Sequence, residues 1–154
     1  MVIKMDFQTP TWVCELMVNE ITREPRKVLE PTPGDGNLVR AIKNRYPETD
    51  VTAPYDYFEL TKGAYDCIVS NPPFTPMATG YKILDGLFGQ SDNIIILLPW
   101  LALINSEKRY KKYLCEGLKK VIHLPRRAFP GTRVQTCILV FEHGYCGNVQ
   151  LMFV

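Results

Sequence analysis

The chain has 154 residues, 46% hydrophobic and 22% charged, with a formal net charge of +2. That composition fits a globular domain with a real core and excludes a disordered chain. So small a net charge excludes whole-molecule attraction to nucleic acid, which leaves only local patches for such a role.

The segment TPTWVCELMVNEI predicts an amphipathic helix, with Thr9 as N-cap and Pro10 at the first helical position. Trp12 and Leu16, with Val13, Met17 and Ile21, would form its apolar face. KVLE predicts a short strand ending at Glu30, PTPGDG a turn, and NLVRAIKNRY a helix with Leu38, Val39 and Ile42 inward. VTAPYDYFEL is ambiguous, because Pro54 would interrupt a central strand. YDCIVS and NIIILLP read as strands covered on both faces, with the helix TGYKILDGLFG between them. SEKRYKKYLCEGL is a basic helix. KKVIHL, TCILVF and NVQLMFV complete the strands. Strands alternating with helices predict an α/β fold, a mostly parallel sheet with helices on both faces. The last strands are joined by loops, which predicts an antiparallel C-terminal edge.

The five cysteines, Cys14, Cys67, Cys115, Cys137 and Cys146, are scattered and make no Cys/His cluster. This pattern argues against disulfides and against a zinc site, so no metal is expected. No signal peptide precedes the first charges. The longest apolar run, Ile94 to Leu103, is broken by Pro99 and too short to span a bilayer. A cytoplasmic location without a membrane partner is expected.

Two stretches have the residue types of a ligand site. In LEPTPGDG, a strand leads through a glycine turn into a helix, at the sheet edge where doubly wound folds bind ligands. Glu30 can accept hydrogen bonds from an ammonium or a hydroxyl group, although a tight turn needing glycine would look the same. The segment is not a phosphate-binding loop, because it has no Lys-Ser or Lys-Thr and carries two acids. In DCIVSNPPF, proline must end the strand near Asn71 and stiffen the backbone that follows. The Asn71 side-chain oxygen and the Pro72 carbonyl are then two fixed acceptors beside the Phe74 ring. Such a set suits a planar molecule with an exocyclic amine. A plain strand stop, with Phe74 in the core, is the alternative.

In combination these stretches resemble the S-adenosylmethionine-dependent adenine-N6 DNA methyltransferases, through DFQTP, LEPTPGDG and YDCIVSNPPF in that order. The resemblance implies a Rossmann-like methyltransferase fold with one catalytic domain over residues 1–154. S-adenosyl-L-methionine is the implied cofactor, and DNA methylation of the restriction-modification kind the implied setting. It implies catalysis by Asn71, Pro72, Pro73 and Phe74. Cofactor contacts would come from Phe7, Thr9, Pro10, Glu30, Pro31, Gly34, Asp35, Gly36 and Asn71. Asp56 matches the family's acidic position near the cofactor adenine, or is only a loop cap. The ribose-binding acid would be Asp50, or its role is lost or has moved to Tyr55 or Asp56, because the segment between PGDG and NPPF is compressed.

The cations of SEKRYKKYLCEGL read as a solvated helix face. Arg126, Arg127 and Arg133, in a loop after a strand, are the candidates for nucleic-acid phosphates. The chain ends with its last strands, so no target-recognition domain is expected. DNA, including single-stranded DNA or unpaired adenine, is the expected partner, together with self-association or a separate specificity subunit. Alternative readings are a methyltransferase acting on RNA or on a protein glutamine, and an inactive subunit that binds nucleic acid or a partner.

Overall fold

Seven strands form one sheet: β1 (Lys27–Leu29), β2 (Asp50–Thr52), β3 (Cys67–Ser70), β4 (Asn93–Pro99), β5 (Leu118–His123), β6 (Thr136–Glu142) and β7 (Gln150–Phe153). The structure is a computed structural model that describes residues 8–59 and 62–154. The strand order is β2-β1-β3-β4-β6-β5-β7. All pairings are parallel except those of β6, which runs against both β4 and β5. The antiparallel pairing thus falls in the C-terminal part of the sheet, as expected, with β6 inserted between its neighbours and β7 outermost.

Helices cover both faces. The apolar strands alternate between two cores, which explains their unbroken hydrophobic character. Val28, Val69, Ile95 and Leu97 point to one core, shared with helices α1 (Thr11–Asn19) and α2 (Asn37–Arg45). Leu29, Ile68, Ile94, Ile96 and Leu98 point to the other. There they meet α3 (Met77–Leu87), α4 (Trp100–Ile104) and α5 (Glu107–Cys115).

Several local expectations need correction. The first helix starts at Thr11, with Pro10 as its N-cap. The Pro10 carbonyl accepts the N–H groups of Val13 and Cys14, both at 3.0 Å. Thr9 therefore lies outside the helix and does not cap it. The buried face is Val13, Cys14, Met17 and Val18, while Trp12 is exposed. Strand β2 stops at Thr52, before Pro54, and forms the sheet edge, where proline costs no ladder bond. The apolar run that begins at Asn93 leaves the sheet at Pro99 and turns into α4, a helix the hydropathy pattern does not separate from the strand.

From β1 the chain steps outward to β2, then returns past β1 to β3. This reversal opens a crevice between the carboxyl ends of β1 and β3, the place where open α/β sheets bind ligands. No helix among the described residues is long and apolar enough to cross a membrane.

Candidate active site

Glu30 is the first residue after β1, and Asn71 the first after β3. The two stand on either side of the crevice because β1 and β3 are adjacent and parallel. Thr32 joins them. Its backbone N–H donates to Glu30 Oε1 at 2.9 Å, and its hydroxyl lies 2.9 Å from the Ser70 hydroxyl. The same hydroxyl donates to the Asn71 carbonyl at 3.3 Å.

The Asn71 side chain is held from the other direction. Its Nδ2 donates to Thr9 Oγ1 at 2.9 Å, which leaves Oδ1 as the acceptor of that amide. Thr9 is buried, and its carbonyl accepts from Asn37 Nδ2 at 2.8 Å. Asn37 opens α2 directly after the glycine turn. Gly34 and Gly36 both have positive φ, 53° and 83°, a conformation that glycine adopts without strain. The Asp35 N–H donates to Gln8 Oε1 at 3.2 Å, and the Asp35 carbonyl accepts from Arg40 at 2.8 Å. The three sequence stretches therefore form one hydrogen-bonded unit.

Glu30 is only 1% exposed. Burial pushes its carboxyl up to about 8, against the opposing effect of the Thr32 N–H and the Ser70 and Thr32 hydroxyls. No ion pair to Glu30 is formed among the described residues. The acid thus stays protonated at neutral pH until a cation approaches it.

On the far side of Asn71 lies a cavity of about 230 Å³ with mostly apolar walls. Asn71, Pro72, Pro73 and Phe74 form one wall. Leu98, Pro99 and Leu101 form another, and Phe129, Val134 and Thr136 close the third. The Trp100 N–H donates to the Gln135 carbonyl at 2.8 Å and ties the second wall to the third. The Phe74 ring packs edge-on to Tyr81, with centroids 5.7 Å apart. It lies directly on Gly80 of α3, where a Cβ would sit 2.6 Å from its Cγ. Phe74 is therefore both partly buried and a wall of the cavity.

The remaining candidates divide. Pro31 is buried behind the turn, Pro10 is half-buried at the start of α1, and the side chain of Asp35 is on an exposed turn residue. Phe7 lies outside the described residues. Asp56 Oδ1 accepts from the Phe58 N–H at 2.9 Å, which is the cap geometry allowed for it. Asp50 is corrected. It opens β2 opposite Lys27, at the amino end of the strands, whereas Glu30 follows their carboxyl end. Its N–H pairs with the Arg26 carbonyl, away from the crevice. At about 3.3 Å per residue, the length of β2 separates Asp50 from the ligand edge.

Arg126 and Arg127 are exposed on a short 3-10 turn after β5, and Arg133 is exposed a few residues on, in the loop that supplies the third cavity wall. Among the described residues none of the three makes an ion pair or side-chain hydrogen bond. The cations of α5 differ. Lys111 pairs with Glu107 at 2.6 Å, Lys112 with Asp85 at 2.7 Å, and Arg109 stacks on Tyr81 at 3.5 Å from the ring centroid. Thr32, Ser70 and Asn37 were not singled out from the sequence. Their only local signal is a hydroxyl two residues after Glu30 and an amide at a helix start.

No protein-family model and no curated protein matches the chain. Solved structures do. The fold is that of S-adenosylmethionine-dependent methyltransferases, shared here at low sequence identity. The methyltransferase subunit of a type I restriction-modification system from Streptococcus thermophilus superposes with a TM-score of 0.75 at 16% identity. That match covers 96% of this chain and 47% of that one. A structure assigned as a type I modification subunit from Vibrio vulnificus gives 0.72 at 15% identity, covering 94% and 45%. One assigned as a class I S-adenosylmethionine-dependent methyltransferase from Listeria monocytogenes gives 0.73 at 14% identity, covering 96% and 65%. The chain thus spans about half the length of the type I subunits it resembles.

Proposed function

We propose that residues 1–154 are a catalytic domain that transfers a methyl group from S-adenosyl-L-methionine to the N6 amine of adenine in DNA. The observation that carries this reading is the Asn71 amide. Its nitrogen is bound to Thr9, and its oxygen is left as acceptor beside a cavity that Asn71, Pro72 and Phe74 line.

The crevice suits the cofactor by its chemistry. A buried acid with no cationic partner among the described residues, Glu30, stands beside a turn whose glycines admit close backbone approach. The cofactor carries an ammonium group and a sulfonium, and when bound it supplies the electrophilic methyl. Glu30 and the turn from Pro31 to Gly36 would hold its methionine half. Tyr55 and Asp56, which follow β2 at the carboxyl edge, are the residues left to meet the rest.

The amine to be methylated is a poor nucleophile, because its lone pair is delocalised into the ring. Asn71 Oδ1 and the Pro72 carbonyl accept its two N–H bonds and draw the nitrogen toward tetrahedral geometry. Preorganised acceptors of this kind stabilise the positive charge that develops on nitrogen. The cavity takes the flat ring, with Phe74 as stacking wall. A base inside a duplex must be extruded to enter it, so unpaired adenine is the easier substrate. Arg126, Arg127 and Arg133 hold phosphates of the same strand, a contact that positions the strand without reading its sequence. A separate specificity subunit or a second copy would supply that reading. Incubating the chain with labelled cofactor and with DNA, RNA and protein in parallel tests the proposal, with label expected in DNA.

A further inference from the structure

Resting on the methyltransferase reading, we propose that Leu101 and Val134 form an apolar lip that packs against the bases next to the extruded adenine. Both side chains line the cavity, yet both are exposed, Leu101 at 59% and Val134 at 45%. Side chains that are at once wall and open to solvent stand at the mouth. The two lie across that mouth from one another. Pro99 pairs with Thr136 where β4 and β6 end, and the Trp100 N–H donates to the Gln135 carbonyl one step further out. Leu101 and Val134 come next on the two chains. Each is held by its own backbone. The Leu101 carbonyl accepts from the Asn105 N–H at 3.0 Å, and the Val134 N–H donates to Thr132 Oγ1 at 3.0 Å. Helix α4 buries Ala102 and Leu103 and turns Leu101 and Ile104 outward, so Ile104, 56% exposed, lengthens the same apolar surface.

Charge and position name the occupant. Segments 71–81, 97–105 and 124–136, which build the three walls, contain three arginines and no acid. Those arginines, Arg126, Arg127 and Arg133, are exposed, and Arg133 immediately precedes Val134. An apolar surface bordered by cations alone suits a polyanion that also carries apolar faces, which is the make-up of a single strand of nucleic acid. A base inside the cavity has left its stack, so its neighbours turn bare faces toward the mouth. Burying those faces against Leu101 and Val134 recovers part of the lost stacking, as apolar side chains do when inserted beside base steps. The lip touches no base edge, so it adds affinity without reading sequence. Its contribution is distinct from that of the arginines, which meet phosphates whether or not a base is attached.

The test is a cycle of two changes, one in the protein and one in the strand. Fluorescence anisotropy, without cofactor, measures binding of a pentanucleotide with a central adenine between thymines. It is compared with the same strand in which only the adenine keeps its base. The wild-type chain binds the second strand about tenfold more weakly, the scale of half-burying a large apolar side chain. Leu101→Ser combined with Val134→Ser weakens binding of the first strand about tenfold and makes the two strands bind alike. Both side chains are exposed, so the double variant keeps its urea midpoint. The slope of log affinity against log salt is the same for all four combinations, because no phosphate contact changes. Coupling below about twofold, or no binding of either strand, overturns the lip. Label transfer to DNA is measured separately. A chain that shows the coupling but transfers no methyl group refutes the methyltransferase reading and leaves the lip standing. A wild-type chain that sediments as a dimer, and that the double variant makes monomeric, gives the lip to a second copy and also overturns the proposal.

Discussion

On the proposed function, Glu30 should make cofactor binding depend on pH in a calculable way. The buried carboxyl holds its proton up to about 8 in the free protein. If the ammonium group of the cofactor binds the ionised acid, apparent affinity scales with the ionised fraction, roughly 1% at two pH units below that value. The dissociation constant should therefore fall about tenfold for each unit that pH rises from 5.5 to 7.5. The upper limit keeps the ligand's amino group, ordinarily at about 7.7–8.0, in its cationic form. Calorimetry in two buffers of different ionisation enthalpy should show about one proton released per cofactor bound near the middle of that range. In Glu30→Gln the dependence and the proton release should vanish, with weaker binding throughout. The folded acid also titrates above its ordinary value of 4.5, so the unfolded chain releases the proton first as pH rises. Stability of the free protein should thus be lost between 4.5 and about 8, at about 1.4 kcal/mol per pH unit at most, and Glu30→Gln should abolish that slope. A dissociation constant flat over this range, with no proton released, would refute the role given to Glu30.

Asn71→Ala should reduce turnover at least about a hundredfold, the scale of one preorganised electrostatic contact, and leave cofactor affinity within about threefold in a binding titration. Gly80→Ala should force the Phe74 ring off α3, at about 1–3 kcal/mol of overpacking in urea unfolding, with activity falling further than the stability loss explains. Replacing Arg126, Arg127 and Arg133 together by alanine should lower the slope of log affinity against log salt for single-stranded DNA by about two. An unchanged slope would remove these residues from the phosphate contacts.

Much of the fold was legible because both faces of the sheet are covered. A run such as Ile94–Leu98 has no other stable placement once proline ends it. The positions of Glu30 and Asn71 at the crevice were legible for a related reason, since each follows a strand whose end is marked by proline. Thr9 was misread because Thr-Pro before an apolar run is also a helix-start signal. Only the fold shows its hydroxyl committed to Asn71, 62 residues away. Thr32 and Ser70, 38 residues apart, escaped for the same reason, as no local pattern records a contact across a crossover. Asp50 was misplaced because the bounds of a three-residue strand in a compressed segment are unmarked, so the sequence does not show that Asp50 opens the strand rather than ends it. The short helix α4 was hidden by the hydrophobicity it shares with β4.

The most direct test of the account is nucleoside analysis by mass spectrometry of DNA incubated with the purified chain and S-adenosyl-L-methionine. N6-methyldeoxyadenosine should accumulate, faster on single-stranded than on duplex DNA, and should be absent with Asn71→Ala. Cofactor binding without any methylated nucleoside, or a methyl group found on a different base, would contradict it.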